Sequence, residues 1–243
     1  MSRYEEYINK TLIDDYTHIR CSKNEEAVKI DIFKHNSSGN KLVCIRSQNR
    51  NDHIFRLLKG VSAPNLPTIY DICSCENYLL VLESYVEGKT LAETIKVTPL
   101  KPKQTIKYVL QICEALRFLH SKQIIHRDIK PENVIITPDG NAVLIDLSAA
   151  RLLTDSEGKD TVSLGTVGYA APEQYGIHQS TPPTDIFALG VLLNELIVGC
   201  HPSIKTPSGR LGKIIKKCTE TQMYNRYQTV EKLISDLKKV KCF

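Results

Sequence analysis

The segment Ile124–Ile136, IIHRDIKPENVII, constrains this chain more than any other stretch. It sets a base, an acid, an amine and an amide close together between two apolar ends. Apolar ends of this kind enter buried structure, and the polar middle is left as a loop that the structure presents. The apolar run NVIIT that closes it is followed by a second, AVLIDL, with the turn PDGN between them. That pattern is a short hairpin, so the loop is carried by a strand pair.

The rest of the chain divides unevenly around this segment. In the first third, AVKIDIF and KLVCIR are β-branched runs separated by KHNSSGN, a hairpin turn. DHIFRLLKGV has helical apolar spacing at Ile54, Leu57, Leu58 and Val61, ended by Gly60 and SAPNLP. TIYDICSCENYLLVLESYV gives two further strands with a polar turn at Glu76 and Asn77. After EGKTL the pattern becomes helical. Ile106, Val109, Ile112, Leu116 and Leu119 mark a long amphipathic helix. An apolar helix follows at 185–198 and an amphipathic one at YQTVEKLISDLKK. The expected class is therefore α+β: a small β-rich lobe over 1–84 and a larger helical lobe over 85–243, with a hinge near 83–88. A cleft between lobes is a common ligand site.

Composition closes off several alternatives. The 243 residues suffice for one large domain or two small lobes. A net charge of +5 is mild and points to no nucleic acid partner. The basic end DLKKVKCF reads as the solvated end of a helix. Of eight cysteines only Cys73 and Cys75 lie close together, which is not zinc-ligand spacing. Others sit in apolar runs as small core residues. No apolar signal region opens the chain, and its longest apolar run, FALGVLLNELIVGC, is too short to span a bilayer. A reduced, cytoplasmic protein with no membrane span is expected.

The polar loop has a chemistry of its own. Asp128 is a carboxylate able to accept a proton from an attacking hydroxyl. Lys130, two residues on, is an amine able to hold a transferring phosphoryl group. Asn133 offers an amide oxygen to magnesium, a hard cation, and Asp146 offers a second oxygen from the end of the next strand. Phosphoryl transfer needs these parts: positioning, metal and charge neutralisation. For Asp128 taken alone, the plain alternative is a loop carboxylate capping a helix.

Three stretches together carry a family resemblance. HRDIKPEN, DLS and GTVGYAAPEQY resemble the catalytic loop, metal-binding triplet and substrate-platform segment of protein kinases, in wording closest to the bacterial serine/threonine kinases. The resemblance runs from Asn65 onward and only loosely before it. It implies a two-lobed protein-kinase-like fold that binds ATP and Mg2+ and transfers phosphate to Ser or Thr of a protein substrate. Asp128 would orient and deprotonate the acceptor, Lys130 would contact the γ-phosphate, and Asn133 and Asp146 would hold magnesium. Val28, Cys44, Arg46, Glu83 and Ile135 would contact the nucleotide. His126 and Leu147 would be packing residues. Arg127 would pair with a phosphate on the activation segment, for which Thr154, Ser156, Thr161 and Ser163 are candidate acceptors. Those hydroxyls equally suit a plain polar loop. Thr166 would bond the catalytic loop, and with Lys130 it favours a Ser/Thr acceptor over tyrosine. Asp185 would anchor the loop backbone, and Glu173 and Arg226 would form a buried ion pair.

The first third departs from the family pattern. The stretch IRCSKNEEAVKI has no glycine where kinases place a glycine-rich loop, and it carries Glu25 and Glu26. LVCIR aligns with the strand that bears the phosphate-binding lysine but ends in Arg46, which is not an equivalent cation. Ile54 falls at the partner glutamate, and Ser148 replaces the triplet's glycine. Three readings stay open. The chain is an active minimal kinase in which Arg46, Lys29 or Lys41 grips the phosphates. Or it is a pseudokinase, a nucleotide-sensing or scaffold module without phosphotransfer. Or it is a nucleotide-free structural domain. Homodimerisation is one way a reduced small lobe could be completed.

Overall fold

A computed structural model of the chain describes residues 2–48, 52–97, 100–153, 166–175 and 179–240. Its contacts divide it into two compact units: Met1–Ala63 with Pro67–Val86, and Pro64–Leu66 with Glu87–Phe243.

The first unit is an antiparallel sheet with two short helices. Helix α1 (Arg3–Asp15) leads into β1 (Tyr16–Asn24), β2 (Val28–His35) and β3 (Lys41–Ser47), then α2 (Asp52–Leu58), β4 (Ile69–Ser74) and β5 (Leu79–Ser84). The strand order is β1-β2-β3-β5-β4. Residues opposite one another in antiparallel strands share a face, and the faces alternate along each strand. Asp31 lies opposite Cys44 and Lys29 opposite Arg46, while Cys44 lies opposite Leu82 and Arg46 opposite Leu80. These residues therefore share one face. Ile8 and Leu12 of α1 pack there with Leu42, Cys44, Cys73 and Leu80 as a buried cluster. Val28, Ile30, Ile32, Val43, Ile45 and Val81 belong to the other face.

Helix α1 was not expected, yet its signal is in the sequence. Ser2, followed three residues later by Glu5, is a capping-box pattern. Ser2 Oγ accepts from the Glu5 amide at 3.1 Å. Ile8 and Leu12, four residues apart, give it one apolar stripe, which is buried. The expected strands and the helix beginning at Asp52 form. Leu57, counted on the apolar face of that helix, is instead 49% exposed, and Phe55 is buried.

The second unit is mainly helical. It comprises β6 (Lys89–Thr90), α3 (Leu91–Val97), α4 (Pro102–Ser121), β7 (Ile124–Ile125), β8 (Val134–Ile136), β9 (Ala142–Leu144), β10 (Arg151–Leu152), α5 (Pro182–Val198), α6 (Gly209–Cys218) and α7 (Val230–Leu237). Pro at the start of α4 costs nothing, because that amide has no intrahelical partner. The apolar residues that mark α4 in the sequence are buried in the helix. Full burial of such a side chain stabilises by about 1.5–3 kcal/mol. Helix α5 is buried along nearly its whole length. It starts at a capping box between Thr181 and Thr184 and stops at Gly199, whose φ is 76°. A Cβ on Gly190 of α5 would lie 2.4 Å from Cys218 Cβ of α6, so only glycine lets these helices approach this closely. Helices α3 and α6 were not anticipated; α3 is a single short element, and Gly209 and Gly212 weaken the helical signal of α6.

The α+β class expected from the sequence is the observed one, with the sheet in the first unit and the helices concentrated in the second. Among the described residues no helix is long and apolar enough to cross a membrane.

Candidate active site

The loop between Ile124 and Ile136 lies wholly in the second unit. It runs from β7 through a 3-10 turn at Pro131–Asn133 into β8. Asp185 of α5 holds its start. This carboxylate is fully buried. It accepts from the His126 amide at 3.0 Å, the Arg127 amide at 2.8 Å and His120 Nε2 at 2.7 Å. Burial pushes the Asp185 carboxyl up. The bond and charge of His120, the charge of His126 and the Arg127 amide more than offset it, so the group is held below the usual range. His126 is itself fully buried.

Asp128 sits at the centre of a compact network. It accepts from Lys130 Nζ at 2.7 Å, Thr166 Oγ1 at 2.9 Å and Asn133 Nδ2 at 2.9 Å. Lys130 Nζ also lies 2.8 Å from Thr166 Oγ1. Burial raises the Asp128 carboxyl, but the Lys130 bond and charge, then Thr166 and Asn133, bring it below its ordinary value. It is therefore ionised at neutral pH.

Asn133 and Asp146 are brought near one another by the β8–β9 pair. The Ile145 amide donates to the Asn133 carbonyl at 2.9 Å, and Asp146 is the next residue. Asn133 turns its amide nitrogen to Asp128, which points Oδ1 the other way. Asp146 is held at φ 68°, and its Oδ1 accepts from the Ser148 amide at 3.0 Å. Arg127 has φ 71°. Left-handed backbone at non-glycine residues costs about 1–3 kcal/mol and gathers at functional sites. The amide oxygen and the carboxylate are hard donors that fit magnesium. Among the described residues no three His, Cys, Asp or Glu side chains gather as a metal site.

Arg226 makes a two-pronged pair with Glu173, at 2.7 and 2.9 Å, with both side chains buried. Thr184 Oγ1 adds a bond to Glu173 at 2.8 Å. Leu147 is buried. Ile135 lies in β8 opposite Val143 and Thr90. Thr154, Ser156, Thr161 and Ser163 lie outside the described residues.

The nucleotide contacts expected in the first unit do not converge. Cys44 is fully buried in the cluster beneath α1, and its thiol is pushed up to about 11 by burial. It is a core residue, which corrects its assignment to a ligand. Val28 belongs to the opposite face of the sheet. Arg46 shares the Cys44 face and is engaged there: NH1 meets Asp31 Oδ2 at 3.2 Å and NH2 meets Asn9 Oδ1 at 3.2 Å. Neither partner belongs to α2. Asp31 also takes His18 at 3.0 Å and Lys29 at 3.2 Å. Arg46 and Lys29 thus both face the buried carboxylate of Asp31 rather than a residue of α2. Ile54 is fully buried, and Asp52 and Arg56 of α2 meet on Ser74 Oγ of β4 instead. Glu83 is buried in β5 opposite Val43, on the Val28 face.

Comparison with known proteins decides the family. The protein kinase domain profile matches residues 20–241. The chain belongs to the protein kinase domain family. Serine/threonine-protein kinase PrkC of Bacillus subtilis is 34% identical over 200 residues, covering 72% of this chain and 31% of PrkC. A probable serine/threonine-protein kinase of Clostridium perfringens is 29% identical, covering 91% of the chain and 36% of its own length. An Aurora kinase of Candida glabrata is 30% identical over 87% of the chain and 62% of its own length. The chain spans about a third of the length of the first two relatives.

Two residues of this kinase domain escaped the sequence reading. His120 reaches Asp185 from the end of α4. Its position just before the chain turns towards IIHRD could have flagged it. Gln174, beside Glu173 in the platform turn, donates to the Arg127 carbonyl. Nothing in its local sequence signals that bond, because the partners lie 47 residues apart.

Proposed function

We propose that this kinase domain binds Mg-ATP and transfers the γ-phosphate to serine or threonine hydroxyls of a protein, its own activation segment included. The observation that carries the reading is the Asp128 network. Its carboxylate is ionised and fixed by Lys130, Thr166 and Asn133. A hydroxyl entering there meets an acceptor already aimed, and such general-base positioning contributes about 10²–10⁴-fold. Lys130, beside that carboxylate, supplies positive charge where negative charge moves onto the acceptor. Asn133 Oδ1 and Asp146 would hold Mg2+, which when bound neutralises phosphate charge. Seven free cysteines among the described residues support a reducing, cytoplasmic setting.

One observation favours a second reading, a pseudokinase that senses nucleotide or serves as a scaffold. The strand cation Arg46 is tied to Asp31 and Asn9, so this sheet does not present the usual phosphate grip.

Incubation with Mg-ATP and a Ser/Thr peptide, read by mass spectrometry, tests the first reading. Phosphate should appear on wild-type protein and peptide and be lost in Asp128→Asn. Absence of transfer, or equal transfer in the variant, overturns it. In that event melting with ATP separates the remaining options. A shift worth about 2.7 kcal/mol at 100-fold over Kd supports a sensor, and no shift supports a scaffold.

A further inference from the structure

Gln174 is a buried amide that the phosphotransfer chemistry does not use. It is 1% exposed and lies in the 3-10 turn Pro172–Tyr175. Its Nε2 donates to the Arg127 carbonyl at 2.8 Å, and its Oε1 accepts from the Ala171 amide at 3.0 Å. These partners fix the amide's orientation, since a carbonyl only accepts and a backbone N–H only donates. A side-chain amide of this length supplies both bonds at once; a carboxylate, a thioether or an alkyl chain does not.

The peptide it holds is the one that leads into Asp128. Arg127 carries a left-handed φ of 71°, a conformation a non-glycine residue keeps only when its surroundings impose it. Asp185 binds the Arg127 N–H at 2.8 Å, and Gln174 binds the Arg127 carbonyl. The two groups grip the residue from both of its peptides. The base beneath Gln174 is rigid, because neighbouring Glu173 is locked by Arg226 and Thr184. The platform thus meets the loop twice, through Thr166 at the Asp128 side chain and through Gln174 at the Arg127–Asp128 peptide.

We infer that Gln174 is a positioning residue for Asp128, setting the Arg127–Asp128 peptide plane so that the carboxylate meets Lys130, Thr166 and Asn133. The kinetic arm of its test rests on the phosphotransfer reading; the exchange arm does not.

The experiment compares wild-type chain with Gln174→Met and Gln174→Glu. In Gln174→Met, amide hydrogen exchange over 126–130 should rise about tenfold while α4 stays unchanged. The same variant should lose about 10- to 100-fold in kcat, with KM for ATP within about twofold. In Gln174→Glu the protonated carboxyl can still donate to Arg127 and accept from Ala171, whereas the ionised form cannot donate. Its turnover should therefore fall as pH rises through that carboxyl's pKa, a step absent from the wild-type profile. Exchange that is unchanged in Gln174→Met, or that rises equally in α4, overturns the inference. So does a Gln174→Glu pH profile parallel to wild type, which decides the matter if Gln174→Met does not fold. A selective rise of loop exchange in Gln174→Met, together with a wild-type protein that transfers no phosphate, upholds the positioning role and removes the phosphotransfer reading instead.

Discussion

Asp31 and Asp128 are two shielded carboxylates with different surroundings. Each is pushed up by burial and brought below its ordinary range by its partners. Asp31 in the sheet faces His18, Lys29 and Arg46, and its side chain is 3% exposed. Asp128 in the loop has one cation and two neutral donors, and its side chain is 14% exposed. A carboxylate between two cations, Lys29 and Arg46, is neutralised and serves packing. One with a single cation and an open side keeps charge to offer an incoming group. The difference separates a carboxylate tied into the fold from one that could still meet an incoming group.

The sharpest way to break this contrast is to neutralise each carboxylate in turn. Asp128→Asn should cut phosphate transfer by about 10²–10⁴-fold while moving the melting temperature little. Asp31→Asn should do the reverse, costing about 1–2 kcal/mol of stability, because partly exposed Lys29 and Arg46 lose their charged hydrogen bonds to it. Parallel transfer assays and melts check the pair, and matched losses in both variants would erase the distinction. Comparable in size to the Asp128 effect is the buried pair of the second unit. Glu173→Gln leaves Arg226 buried without its counter-charge and should cost about 3–5 kcal/mol by chemical denaturation.

Arg46 tests whether the sheet cation grips nucleotide or fold. Arg46→Ala should cost about 2 kcal/mol through its charged hydrogen bonds and leave the ATP-induced melting shift unchanged. Weakened ATP binding at intact stability would return Arg46 to the phosphates. The effect should also depend on pH. Asp31 has a folded-state pKa below its unfolded value, so its stabilisation is present above about pH 4. It is lost as pH falls through the lower folded value. The gap between wild type and Arg46→Ala should therefore be full at neutral pH and shrink below about pH 4.

The loop was legible in the sequence because its chemistry is local. Asp128, Lys130 and Asn133 lie within one loop and turn, so spacing alone nearly sets their meeting. Thr166, Asp185, Glu173 and Arg226 were legible only through the family resemblance, since their contacts with the loop and with one another span 36 to 59 residues. The strand residues misled for a geometric reason. Val28, Cys44 and Arg46 were placed together by alignment, but pairing register decides faces, and a shift of one residue reverses them. Here Cys44 faces α1, and α1 was overlooked because Tyr, Glu, Lys and Asn dominate RYEEYINKTLIDD and only two of its apolar residues are buried.

The smallest expected effect concerns the cap of that overlooked helix. Ser2 Oγ accepts from the Glu5 amide, and Glu5 accepts from Tyr78 Oη of the sheet unit at 2.6 Å. Ser2→Ala removes the cap and should cost about 1 kcal/mol. The loss should fall on the first unit alone, because α1 covers Cys44 and Leu80 there. Exchange of the β3 and β5 amides should therefore speed up while that of residues 126–130 stays as in wild type. A loop that loosened equally would show that α1 steadies both units, and the separation between Asp31 and Asp128 would have to be redrawn as one shared framework.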